Sequence, residues 1–159
     1  MLKLFEYNWQ VRKDWFDWCE SVSEKELLER RTGGPGGILY TLFHIVEVEY
    51  SWISGLQGKP EPQEPPFEDY ADVQKLRDYS ARCHEEIAPF IYGWNSSMET
   101  RFLSDQNAKG ERFDFKYGEI MRHVIAHEIH HIGQMSVWSR EIGKQPITAN
   151  LIRRGLFDI

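Results

Sequence analysis

Met121-Arg122-His123-Val124-Ile125-Ala126-His127-Glu128-Ile129-His130-His131-Ile132-Gly133-Gln134 holds four of the six histidines in this 159-residue chain. Its periodicity reads as a helix. Core-type positions recur at Ile120, Val124, His127, His131, Gln134 and Trp138, in the alternating steps of four and three that mark the inward seam of a bundled helix. On that seam His127 and His131 stand where Leu or Ile is usual. A buried imidazole carries a desolvation cost unless it finds a partner. Side chains four residues apart on a helix diverge by ~40° with a rise of ~6 Å, so both rings can reach one ion.

The chain around this stretch is helical by pattern. A first helix is predicted over about Lys3 to Val22, with Leu4, Val11, Trp15, Trp18 and Val22 on a wide apolar face. Ser23 and Glu26 have the spacing of a capping box for a short turn, Glu24 to Arg30. Thr32-Gly33-Gly34-Pro35-Gly36-Gly37 breaks the chain and leads into a second helix, about Gly36 to Leu56, apolar almost all round and therefore central. His44 sits in its middle, on a face of mostly small residues: Gly37, Thr41, Val48, Ser51 and Gly55. The proline-rich Lys59 to Pro66 is a loop. A third helix follows, about Asp69 to Trp94, with Pro89 expected to kink or interrupt it near Glu85 to Ala88. Asn95 to Tyr117 reads as a short hairpin or an irregular loop around Gly110. The fourth helix spans about Tyr117 to Ile142, and a short terminal helix, Ala149 to Gly155, is expected to close one end. Four long helices with such seams predict an all-α, four-helix bundle built as a single domain over 1–159.

Bulk properties narrow the function. A net charge of −6 argues against a nucleic-acid binder, which needs a basic face, and against an anionic membrane surface. No apolar run reaches the ~18 residues of a membrane span. The N-terminal stretch lacks the basic, apolar and small-residue segments of a signal peptide. A cytoplasmic location is the expectation. Cys19 and Cys83 read as buried free thiols rather than a disulfide.

Two histidines on the fourth helix need at least one further ligand. His44 is the candidate, and a set of His44, His127 and His131 would leave open positions on a divalent ion, as catalytic sites do. The bland alternative is a set of hydrogen-bonded core histidines. His123 and His130 fall off the seam and read as flanking residues, and His84 reads as a surface residue. Glu128 could relay a proton or could be an exposed helix residue, so no catalytic base is assigned. His127-Glu128-Ile129-His130-His131 also fits the H-E-x-x-H pattern of zinc proteases, but no histidine follows it to complete that site. A di-iron carboxylate bundle needs two E-x-x-H motifs, and Glu128-x-x-His131 is the only one here.

Leu42-Phe43-His44-Ile45-Val46-Glu47 paired with a late His127-x-x-His130-His131-x-Gly133-Gln134 resembles the DinB-like family. The resemblance runs along nearly the whole chain. It implies a four-helix bundle with one divalent metal held by three histidines, matching His44, His127 and His131, and a homodimer. Family members of known chemistry look like metal-dependent transferases joining low-molecular-weight thiols to electrophiles, or thiol-dependent isomerases. The family often has Arg where this chain has Ile132.

Three functions follow as expectations. One is a metal-dependent transferase acting on a small thiol and an electrophilic small molecule. Another is a non-catalytic metal-binding protein of stress response or interaction, in which the ion staples the bundle. The last is a metal-free interaction module. A fourth protein ligand, such as His123 or Glu47, would favour the staple. Imidazole suits zinc, nickel, copper and iron alike, so the ligands do not choose the metal; a divalent zinc, nickel or iron ion is the expectation.

Overall fold

The computed structural model describes residues 1–106 and 109–157. The chain forms α1 (Leu2–Cys19), a short α2 (Glu24–Leu28), α3 (Ile38–Leu56), α4 (Val73–Tyr92), a hairpin of β1 (Phe102–Gln106) and β2 (Arg112–Lys116), and α5 (Tyr117–Glu141). The four long helices make the expected bundle. α3 packs against α4 and α5, and α1 completes the bundle on the same two helices.

Capping follows local chemistry. Ser23 accepts a hydrogen bond from the Glu26 backbone N–H at the start of α2. The Glu26 carboxylate does not close the box but turns to Arg31. Asp72 caps α4 by accepting from the Lys75 N–H at 2.9 Å. Pro89 does not interrupt α4, which stays helical to Tyr92. Ile87, Ala88 and Ile91 are all buried there, and their packing offsets the hydrogen bond that proline cannot donate.

The Asn95 to Tyr117 stretch forms the hairpin. Its strands pair antiparallel, with Leu103 opposite Phe115. Residues 107 and 108 lie outside the described residues. Leu103 packs against Gly55 near the C-terminal end of α3, at the ordinary contact distance a methyl group would have there. This approach explains part of the small-residue face of α3.

The expected terminal helix over Ala149 to Gly155 does not form. Thr148 and Asn150 side chains accept from the backbone N–H groups of Asn150 and Ile152, and such local bonds compete with helical ones. Arg153 adopts a left-handed conformation, φ 71°. The segment is tied to α1 instead. Tyr7 donates to the Ala149 carbonyl at 2.6 Å, Arg154 donates to Asp14 at 3.0 Å, and Leu156 is buried.

The core is divided. One apolar cluster contains Trp15, Leu42, Phe43, Leu76, Ile132 and Met135, and the other contains Phe5, Ile53, Ile87, Ile91, Val124 and Ile125. Between these residues along α1, α3 and α5 lie Arg12, Glu49 and Glu128, all buried. The cluster membership also shows that α3 and α5 run antiparallel. No helix among the described residues is long and apolar enough to cross a membrane.

Candidate metal centre

His44 on α3 and His127 and His131 on α5 come together in the groove between these helices. The Nε2 atom of His127 lies 3.1 Å from Nε2 of His44 and 3.1 Å from Nε2 of His131. The ring centres are 4.4–5.0 Å apart. One ligand atom from each ring falls within 4.8 Å of the others, so the group could hold a metal ion. Nitrogens bound ~2.0–2.1 Å from one ion at angles of ~90–110° are about 2.9–3.4 Å apart. The observed spacing fits that donor set.

The rings are set for this by their position on α5. The buried line of the helix runs Met121, Ile125, Glu128, Ile132, Met135, Ser139. It passes through Glu128, not through His127 as the sequence seam suggested. The two histidines flank that line on the side facing α3. His131 is buried, whereas His44 and His127 are half-buried. A side chain at the edge of the apolar face can be desolvated and still open to a ligand, which one at its centre cannot.

Burial and neighbouring imidazoles keep the rings neutral. Burial lowers the pKa of all three, and the neighbouring imidazoles lower those of His44 and His127 further. His127, surrounded by four other histidines, is pushed down to about 3. His131 Nδ1 lies 2.7 Å from Oε1 of Gln134. With that amide oxygen as acceptor, Nδ1 carries the proton and Nε2 keeps its lone pair for the groove. The Gln134 amide nitrogen sits 3.2 Å from His130 Nε2, an acceptor for it. Such partners orient a ligand imidazole and raise its basicity. Gln134 in turn is pressed against Gly34 in the glycine-rich loop: a Cβ at position 34 would collide with its side-chain oxygen. Gly34 also has φ +51°, a conformation that costs an L side chain about 1–2 kcal/mol.

No other His, Cys, Asp or Glu among the described residues joins the group. His123 is exposed and turns its ring between Trp52 and His127, with centres 5.9 and 5.8 Å away. Glu47 accepts a hydrogen bond from Tyr79 on α4. His130 is exposed, as expected of a flanking residue.

Glu128 is not an exposed helix residue. It is 2% exposed and takes a two-pronged ion pair from Arg12, whose remaining prong reaches Glu49 at 2.7 Å. Trp9 donates to the other oxygen of Glu49 at 2.9 Å. This layer lies directly behind His127 in the chain and ties α1 to α3 and α5. The sequence carried a signal for it: one Arg and two Glu each fall on the apolar seam of a different helix. His84 is not a surface residue either. It is half-buried, edge-on to Trp9 with ring centres 4.4 Å apart, and burial lowers its pKa. It lines a cleft of about 340 Å³ with Trp9, Arg12 and Arg77, between α1 and α4 rather than between the histidine-bearing helices.

Cys19 and Cys83 are free and buried. Burial pushes each thiol up to about 12. Neither supplies a thiolate near neutral pH. Ile132 is buried in the core against residues of α1 and α3, so no cation stands at that position.

A family model described as "DinB family" matches residues 1–155. The chain is also similar to "Uncharacterized protein YizA" of Bacillus subtilis (strain 168). The two are 45% identical over 156 residues, which is 98% of this chain and 96% of that protein.

Proposed function

This chain belongs to the DinB family, and on that premise we propose that it binds one divalent metal ion, zinc, nickel or iron, through His44, His127 and His131, and transfers a small thiol to an electrophile. The observation that carries the reading is the convergence of three neutral imidazole nitrogens with no fourth protein ligand among the described residues. That count favours an open site over a structural staple. When bound, the ion would lower the pKa of a thiol or water sharing its coordination sphere.

The chain's own residues do the rest. The three imidazoles would hold the ion at the edge of the bundle, where His44 and His127 are only half-buried and a small molecule can reach them. Gln134 fixes the tautomer of His131, and Gly34 leaves room for Gln134. The Arg12 layer keeps Glu128 turned into the core and away from the groove. Both cysteines are buried and protonated, so the reacting sulfur must come from a dissolved thiol. In the transfer, sulfur forms a bond to the electrophilic carbon. The leaving group departs with the electron pair of the broken bond, and the thiol proton goes to solvent.

The test pairs metal analysis with turnover. The purified protein is expected to retain a single ion per chain, and His44→Ala and His127→Ala to retain none. Loaded protein is expected to join cysteine or glutathione to benzyl chloride with release of chloride. Metal binding without turnover on any low-molecular-weight thiol would instead support the staple.

A further inference from the structure

One helical turn from the histidine triad, the same α3–α5 groove opens into a cavity of about 180 Å³ lined by Trp52, Phe115, Glu119, Ile120 and His123. We infer that this cavity receives the aromatic ring of a neutral, ring-bearing electrophile, holding its reactive carbon toward the metal site. The inference rests on the proposed thiol transfer and names the class of its second substrate.

Size comes first. An apolar cavity of about 150 Å³ holds one benzene ring, so 180 Å³ is room for a single ring with a short substituent. Shape agrees with size. Phe115 and Trp52 meet nearly edge to face, ring centres 6.0 Å apart, and His123 stands edge-on to Trp52 at 5.9 Å. A guest ring would find both faces and edges of aromatic neighbours, the arrangement aromatic pairs prefer.

Charge narrows the guest further. The lining has one carboxylate, Glu119, exposed at the start of α5, and no Lys or Arg. An anionic group would enter without a partner and against that carboxylate. A neutral ring pays no such penalty and gains by leaving water.

Position links the cavity to the chemistry. His123 is the shared wall: its ring is 5.8 Å from His127, a member of the triad, and 5.9 Å from Trp52. The ring pocket therefore abuts the metal groove. The hairpin builds the far wall, because the register that sets Leu103 opposite Phe115 also seats Leu103 on Gly55 and Phe115 over Trp52. His123 acts here as a positioning wall, with no proton transfer assigned to it.

The test is a toluene titration of the full-length protein followed by nitrogen-labelled NMR, with and without bound zinc, and with metal content read on the same samples. Saturable shifts are expected at the Trp52 indole N–H and at the backbone of Phe115, Ile120 and His123. Ile120→Phe, which fills the cavity, is expected to weaken toluene binding at least tenfold. Should that variant misfold, Phe115→Trp serves the same purpose from the hairpin side. Shifts absent at the limit of toluene solubility, or confined to the Trp9 and His84 cleft, would overturn the ring pocket while leaving the metal reading standing. Toluene binding at Trp52 by a protein that takes up neither zinc, nickel nor iron would overturn the metal reading, and with it the pocket's role in transfer.

Discussion

Arg12 and Glu128 meet through two parallel hydrogen bonds, Nε to Oε1 at 2.9 Å and Nη2 to Oε2 at 2.5 Å, in the centre of the bundle with both side chains under 5% exposed. Glu49 accepts the remaining Arg12 prong. One cation thus compensates two buried carboxylates. Burial pushes the Glu128 carboxyl up, against the pull of the Arg12 fork. The guanidinium is raised despite its burial, by both carboxylates.

Removing the cation is therefore expected to cost more than removing either anion. Arg12→Leu leaves two carboxylates facing each other without compensation, and breaking such a buried pair costs about 3–5 kcal/mol. Glu128→Gln retains a hydrogen-bond acceptor and relieves the excess negative charge, so its loss is smaller. Urea unfolding of both variants measures the order. If Arg12→Leu unfolds at the wild-type midpoint, the layer is not a stabilising element.

Gln134 is expected to tune the metal without touching it. Gln134→Ala removes the acceptor at His131 Nδ1, and loss of such a partner lowers metal affinity by about 10–100-fold. Competition with a chelator of known affinity reads the change. Gln134→Glu, which keeps an acceptor oxygen, should recover most of it.

Gly34→Ala should act on the same bond from a distance. The added methyl strains the φ +51° backbone and collides with the Gln134 oxygen. About 1–2 kcal/mol of stability is expected to go, together with part of the metal affinity. Gly33→Ala, also at positive φ but with nothing near its Cβ, should lose comparable stability and keep its metal.

The metal-free protein should weaken in acid, and the sign follows from His127. Above the ordinary imidazole value of about 6.5 the ring is neutral in both folded and unfolded chains and contributes nothing to the pH dependence. Below it the unfolded chain takes up a proton, while the folded ring, pushed down to about 3, does not. Stability then falls as pH drops through that window and levels off below it. His44 and His131, also lowered, act in the same direction. Urea midpoints at pH 7 and pH 5 should differ more for wild type than for His127→Gln.

Cys19 and Cys83 should resist thiol reagents in the native state at neutral pH and react on unfolding. Each is buried, with its thiol pushed up to about 12, and only the thiolate is nucleophilic. A native-state reaction as fast as that of the unfolded chain would count against this.

Much of the fold was legible because it is written locally. Seam spacing in the four long helices, Ser23 before Glu26 and the glycine run before Ile38 each act over a few residues, where side-chain periodicity and backbone freedom decide the outcome. The histidine pair was legible for the same reason: four residues on one helix fix its geometry. His44 was placed with it by its lone position on a central helix and by resemblance to the family. The terminal helix failed because Ala149 to Gly155 has no strong apolar period, and contacts with Tyr7 and Asp14 set its course.

The sequence by itself determined the helices, their amphipathic faces and the two imidazoles that share a turn of α5. Only the tertiary structure decided that Glu128 rather than His127 lies at the centre of α5's buried face, that Arg12 comes from another helix to compensate it, and that Trp52 and Phe115 frame a cavity beside the histidines. A helix face is about 100° wide, so periodicity locates a residue only to that face. Which neighbour it meets depends on how helices distant in sequence rotate and pack against one another, a matter of long-range contacts that no local pattern records.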